Sequence, residues 1–259
     1  MRLPRQDLLD GAAFPDALHA LIDSAEEVLR TWQPAWSDFL SAEVREEALS
    51  RLGHLSEVTW HSDGGYSAAE RQRLFCMPRD QERSSDVPIQ GLLIEGNFLF
   101  DPLSPQDLRQ ALLEMGAKSG ELGDLWVWGD RGGQGLCRPE LATVLHERTG
   151  KVRDVDIRCE ALAIEQLQLP VQRAVRMMQT VEASCRLDAI ASAGFGLSRA
   201  KIVDQVKQGR LRLNWKNVRQ PSRELTVGDR LHLQDRGSLE VTALNRTKRD
   251  RWRVGLKRS

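Results

Sequence analysis

Residues 186–214 read RLDAIASAGFGLSRAKIVDQVKQGRLRLN and contain two apolar patterns of helical period, followed by one of strand period. The buried face of the first predicted helix consists of Leu187, Ile190 and Ala191. This helix ends at Gly194 or Gly196, because glycine readily adopts the left-handed backbone that closes a helix.

A second helix is predicted to begin after Ser198, whose hydroxyl is a good N-cap. Its inward positions are Ile202, Val203 and Val206. Gly209 ends it and lets the chain turn into a strand. In that strand, Leu211 and Leu213 alternate with polar residues, so one face is apolar and the other is basic.

The polar sides of these elements are rich in cations. A basic surface attracts phosphates and releases their counterions. The free backbone N–H groups at the start of the second helix can hold a phosphate as well. We therefore predict a site for a phosphate-bearing polyanion, formed by Arg186, Ser198, Arg199, Lys201, Lys207, Arg210, Arg212, Asn214, Lys216 and Arg219.

The distribution of charge along the chain supports this site. The formal net charge of the 259 residues is zero. Residues 186–259 contain 18 Lys and Arg against 7 Asp and Glu, a balance of +11, whereas residues 1–185 contain 19 against 30, a balance of −11. Such asymmetry suggests that the basic part binds a polyanion. The acidic part is then available to bind a protein.

The order of these residues resembles the S-four RNA-binding domain, which is named after small-subunit ribosomal protein four. The matching motifs are Arg186-Leu187-Asp188, Ser198-Arg199, 209–214 (GRLRLN), Pro221-Ser222 and Val227-Gly228-Asp229. One departure is Trp215, where the family often has glycine. Its ring either stacks on a base or packs within the domain, and both interpretations stay open.

The first part of the chain is predicted to be a helical region, residues 1–60. Pro34 ends the first helix, whose apolar face is formed by Leu18, Leu21, Ile22, Ala25, Val28 and Leu29. A second helix is expected from Ser41, as N-cap, to Leu52, with Gly53 after it.

Residues 61–165 alternate predicted strands with two helices, the first of which begins at Ser104-Pro105. This pattern favours a small α/β domain of the ferredoxin-like type. Residues 166–180 are predicted to be a helical linker, and 181–259 the S-four domain. The fold class is therefore α+β.

Further short motifs resemble the three-domain bacterial ribosome-associated quality-control family that ends in an S-four domain. They are 37–40 (SDFL), 64–66 (GGY), 69–71 (AER) and 123–125 (GDL). The tryptophan-rich first half resembles the branch named photosystem II S-four domain proteins. The resemblance implies binding to ribosomal RNA and tRNA on the large ribosomal subunit.

Catalysis is not expected. Arg186-Leu187-Asp188 is similar to the RLD of pseudouridine synthases, but the residues that follow depart from that family's motif. Capping, or pairing with an arginine, is the preferred role of Asp188. The alternatives left open are an RNA-modifying enzyme guided by its S-four domain and an assembly factor, related to photosystem II, whose acidic half docks a protein.

No cofactor or metal site is expected, because the four cysteines are scattered and none has a CxxC spacing. Buried thiols in a reducing compartment are the preferred interpretation. The chain begins without an apolar signal region, and no window approaches 18 apolar residues, so we expect a cytoplasmic protein with no membrane span.

Overall fold

The computed structural model describes residues 2–81, 86–170, 175–233 and 236–259. They form two compact units, Met1–Pro170 and Val171–Ser259. No helix in these described ranges is both long and apolar enough to cross a membrane. Cys76, Cys137, Cys159 and Cys185 are free and buried, as predicted.

The first unit begins with helices and a small antiparallel sheet. The helices are α1 (Arg5–Leu9), α2 (Pro15–Thr31) and α3 (Ala42–Leu52). The strands are β1 (Ala35–Leu40), β2 (Val58–Asp63) and β3 (Gln72–Pro78), in the order β1-β3-β2. Five of the six predicted stripe positions of α2 are buried, and the sixth, Leu29, is partly buried against the same core. The domain boundary predicted after residue 60 lies inside β2.

A second sheet of this unit carries the ferredoxin-like pattern. Its elements are β4 (Gln90–Gly96), α4 (Pro105–Glu114), β5 (Leu122–Val127), β6 (Gly132–Cys137), α5 (Pro139–Leu145), β7 (Thr149–Val152) and β8 (Val155–Leu162). The antiparallel order is β5-β6-β4-β8-β7. Without the edge strand β7, this is the βαββαβ arrangement predicted from the sequence. A capping box between Ser104 and Asp107 begins α4.

Three of the short motifs meet at one carboxylate, Asp124 in β5. Its Oδ2 accepts hydrogen bonds from the Tyr66 hydroxyl and the Glu70 backbone N–H, both at 2.8 Å, and its Oδ1 accepts one from the Arg71 N–H at 2.9 Å. The Arg71 guanidinium donates in turn to the carbonyl of Phe39. These motifs therefore fasten the loop between β2 and β3 to the second sheet.

The second unit contains a six-stranded antiparallel sheet. Its elements are β9 (Arg176–Glu182), α6 (Leu187–Phe195), α7 (Arg199–Lys207), β10 (Leu211–Leu213), β11 (Lys216–Asn217), β12 (Arg230–Leu233), β13 (Gly237–Arg246) and β14 (Trp252–Arg258). The strand order is β11-β10-β12-β13-β14-β9. Both helices and the sheet share one apolar core, which includes Leu187, Ile190, Ile202, Val206, Leu239, Val254 and Leu256.

The helical linker predicted for residues 166–180 is wrong: residues 167–170 and 175 are not helical, and residues 176–180 belong to strand β9. This strand pairs with β14 along seven residues, from Arg176 opposite Arg258 to Glu182 opposite Trp252. The local preference of its Met and Gln residues for helix yields to that pairing. Residues 171–174 of the predicted linker lie outside the described residues.

The structure gives separate reasons for the two candidate glycines at the end of α6. Gly196 is the left-handed C-cap, with φ 67°. Gly194 lies two residues earlier against β13, where an added Cβ would stand 2.2 Å from Leu239 Cδ2. The first closes the helix and the second lets it approach the sheet.

Gly132 provides a test of the second sheet in the first unit. Its φ is 128°, and an added Cβ would stand 2.0 Å from the Ile94 carbonyl oxygen on β4. We expect Gly132→Ala to lower the free energy of unfolding by about 3 kcal/mol or more, because backbone has to move. Gly129→Ala is the control, since Gly129 also has positive φ but faces open space; it should cost about 1 kcal/mol. Equal losses in urea denaturation would contradict this account.

Candidate nucleic-acid interface

The start of α7 is the centre of the predicted site. Ser198 caps the helix by accepting a hydrogen bond from the Lys201 backbone N–H at 3.3 Å. Ser198, Arg199, Ala200 and Lys201 are all exposed. The remaining N–H groups of the first turn have no partner within the helix, so this end is suited to bind an anion.

Two of the predicted arginines lie beside carboxylates. Arg186 donates to Asp188 twice, Nε to Oδ1 at 3.1 Å and Nη2 to Oδ2 at 2.8 Å. Arg199 Nη2 lies 3.6 Å from Oε2 of Glu182, the last residue of β9. The arginine side chains are 43% and 52% exposed, while Asp188 and Glu182 are only 9% and 16% exposed. The guanidinium groups therefore keep donors that face outward.

Both arginines lower the pKa of the same acidic group, Asp188. The two hydrogen bonds from Arg186 hold the pKa of the Asp188 carboxyl below its usual value, and the positive charge of Arg199 acts in the same direction. Asp188 is thus kept ionised and is already engaged by Arg186, which agrees with the predicted structural role.

Two other predicted cations line a common depression. Lys201 and Arg210 border a concavity of about 410 Å³, together with Arg236 and Asp204. Arg236 was not predicted, because it stands in the turn after β12 and has no local motif around it. Lys207 is exposed in the last turn of α7. Within the described ranges, Lys201 and Lys207 have no carboxylate partner.

The remaining predicted residues lie on the sheet side of the domain. Arg212 stands between the buried Leu211 and Leu213, so its side chain leaves β10 on the face opposite the core. Lys216 and Arg219 are exposed on and after β11. The ten predicted residues therefore fall into two groups, one around α7 and one on the open face and hairpin of the sheet.

Asn214 connects the hairpin to the Val227-Gly228-Asp229 motif. Its Nδ2 donates to Asp229 Oδ1 at 2.7 Å, and its Oδ1 accepts from the Arg230 N–H at 2.8 Å. Both polar atoms of the side chain are thus used inside the domain. The spacing of the two motifs in the sequence gives no indication of this contact.

Trp215 occupies the tip of the same hairpin. It and Asn214 both have positive φ, 68° and 48°, as a two-residue turn of type I′ requires. Glycine suits this position better, so the tryptophan carries a conformational cost of about 1–2 kcal/mol. Its ring lies 6.1 Å from the His232 ring and is partly buried. These contacts favour packing.

The ion pair of Asp188 predicts a pH-dependent effect. We expect Asp188→Asn to lower the free energy of unfolding at pH 7 by roughly 1 kcal/mol, since it removes a charge-assisted contact with an arginine that is partly exposed. The folded-state pKa is depressed, so the contribution exists above the unfolded value near ~3.9 and disappears as the pH falls below it. Urea denaturation at pH 7 and pH 3 checks this, and a difference that stays constant would contradict it.

Comparisons with known proteins match both ends of the chain. Residues 15–81 match the family described as "YlmH, N-terminal", and residues 185–231 match the S4 domain. The chain is 29% identical to "Ribosome-associated protein quality control protein P2" of Bacillus subtilis (strain 168) over 251 residues, which are 92% of this chain and 94% of that protein.

A solved structure, "Cell division protein ylmH from Streptococcus pneumoniae", aligns with a TM-score of 0.49 at 14% identity, over 59% of this chain and 93% of that one. The resemblance to the photosynthetic branch stays a prediction. The two matched domains stand at the two ends where the motifs predicted them, and the full-length relative spans both. The chain is therefore similar over nearly its whole length to a bacterial ribosome-associated quality-control protein, and its residues 185–231 match the S4 domain.

Proposed function

We propose that this protein is a non-catalytic RNA-binding protein that acts on the large ribosomal subunit. Its S-four domain binds structured ribosomal RNA, tRNA or both, through phosphates more than through bases. Its acidic first half is free to contact a protein partner. The name of the Bacillus subtilis relative, a ribosome-associated quality-control protein, supports the ribosome as the place of action.

The observation that carries the proposal is the exposed start of α7. Ser198 ends the preceding loop, Arg199 and Lys201 flank the free N–H groups, and Lys207 extends the basic side by two turns. Burial of Ile202 and Val206 fixes which side of the helix faces solvent. A phosphate backbone laid along that side meets both charge and hydrogen-bond donors.

The absence of catalysis is part of the proposal. Asp188 is the residue that resembles a nucleophile, and its carboxylate is occupied by Arg186 in a nearly buried position. We expect no modified nucleotide when RNA is incubated with the protein, with and without S-adenosylmethionine, and analysed by mass spectrometry after a chemical labelling that adds mass to pseudouridine, an isomer of uridine.

The central prediction concerns Arg199→Glu combined with Lys207→Glu. Both side chains are exposed, so we expect the fold to stay intact while binding to ribosomal RNA and to tRNA is abolished, because phosphates then meet carboxylates. Filter-binding titrations with each RNA measure the affinity, and circular dichroism checks the fold.

The matched control is Lys118→Glu combined with Arg148→Glu, which makes the same change of charge at exposed positions of the first unit. This control should bind as the unchanged protein does. Unaltered affinity of the Arg199 and Lys207 variant, with a native circular dichroism spectrum, would reject the proposed site.

A substitution of Glu182 tests the same site through an expected gain in RNA affinity. Its carboxylate lies beside Arg199 and accepts a hydrogen bond from the Thr180 hydroxyl at 2.6 Å. Glu182→Gln keeps the size of the side chain and removes the negative charge that competes with a phosphate. We expect RNA affinity to rise about two- to fivefold, the equivalent of up to ~1 kcal/mol. The same titration measures it, and weaker binding would speak against a phosphate at Arg199.

A further inference from the structure

The turn between β13 and β14 is an ordered, closed loop. The Thr247 N–H donates to the Arg251 carbonyl at 2.7 Å, and the Asp250 N–H donates to the Thr247 carbonyl at 3.1 Å. The Arg251 N–H donates to the Thr247 hydroxyl at 3.1 Å. Side chains on this turn are therefore displayed from a fixed backbone, which lowers the entropy cost of binding a ligand.

The turn borders a concavity of about 780 Å³ whose lining is strongly basic. Its cations are Arg246, Lys248, Arg249, Arg251 and Arg253. Arg246 pairs with Asp250 at 3.1 Å and lies over the Trp252 ring. The other four have no carboxylate partner in the part of the chain that the structure describes. Their charge is thus available to a ligand.

This basic concavity is connected to the start of α7 through β9. Val181 lines the concavity and pairs with Arg253 on β14. The next residue, Glu182, pairs with Trp252 and reaches Arg199 with its carboxylate. The two groups of cations therefore adjoin the same end of the sheet, with Glu182 between them.

We propose that this concavity is a second RNA-binding site, which holds the sugar-phosphate backbone of the same RNA that lies across the start of α7. The inference rests on the proposed function. Four of the five cations are arginines, whose planar donors match phosphate oxygens in pairs. Five cations line one concavity of about 780 Å³, so several phosphates can be contacted there together. An RNA laid here gains contacts on both sides of Glu182.

The test is the full-length variant Lys248→Gln, Arg249→Gln and Arg251→Gln, titrated with purified bacterial large-subunit ribosomal RNA at several salt concentrations. Loss of three phosphate contacts lowers the slope of log affinity against log salt by about 2 to 3. Affinity at low salt should accordingly fall by ~40-fold more than affinity at fourfold higher salt. The control, Arg249→Lys with Arg251→Lys, keeps the charge of the turn and should retain the slope.

The outcomes separate the two proposals. An unchanged slope and affinity in the glutamine variant, while the Arg199 and Lys207 variant loses binding, overturns the second site alone. Equal losses in the glutamine variant and in its lysine control also overturn it, because they assign the effect to the conformation of the turn. Retained binding by the Arg199 and Lys207 variant overturns the proposed function. If an acidic peptide, and not RNA, binds at the β13–β14 turn, the peptide is the ligand of the concavity and the inference is overturned.

Discussion

Burial of one side of α6 and α7 against a single face of the C-terminal sheet is the constraint on which the basic surface depends. Ile202 and Val206 are fully or nearly fully buried in that core, and Arg199, Lys201 and Lys207 stand at other positions around the helix, where they are exposed. Gly194 permits the close approach of α6 to Leu239, because any side chain there would strike β13. The direction of every cation on α7 follows from this packing.

The main effect of the carboxylates beside Arg186 and Arg199 is to fix the position of the two arginine side chains, which remain partly exposed. Asp188 and Glu182 are almost hidden from solvent, whereas the guanidinium groups of Arg186 and Arg199 remain about half exposed. A buried carboxylate gains most from a neighbouring cation, and it fixes the rotamer of a side chain that otherwise moves freely. Each of these pairs offsets one positive charge, whereas Lys201 and Lys207 have no carboxylate partner within the described residues.

Local signals in the sequence predicted α2, α3, α4, α6 and α7, and they identified the caps Ser104, Gly196 and Ser198, because a cap depends on a few neighbouring residues. The ferredoxin-like order followed from the alternation of strands and helices. Strand β9 could not be predicted, since its conformation is set by β14, more than seventy residues later. The same limit applies to Arg236 and Glu182, which become part of the site only when β12 and β9 join the sheet. Asn214 is a different case. It was predicted to bind RNA, and in the structure its side chain makes hydrogen bonds that join two motifs of the domain.

Under the proposed function, the arrangement of cations on ordered elements determines how RNA is recognised. Arg199 and Lys201 stand on a capped helix, and the cations of the β13–β14 turn stand on a loop closed by three hydrogen bonds. Rigid donors of this kind match the spacing and shape of a backbone, and they make few contacts with base edges. Trp215, whose ring was considered for stacking on a base, lies beside the His232 ring. Affinity built in this way depends on charge and on the fold of the RNA, so a protein of zero net charge can still bind RNA when its cations are concentrated in one domain.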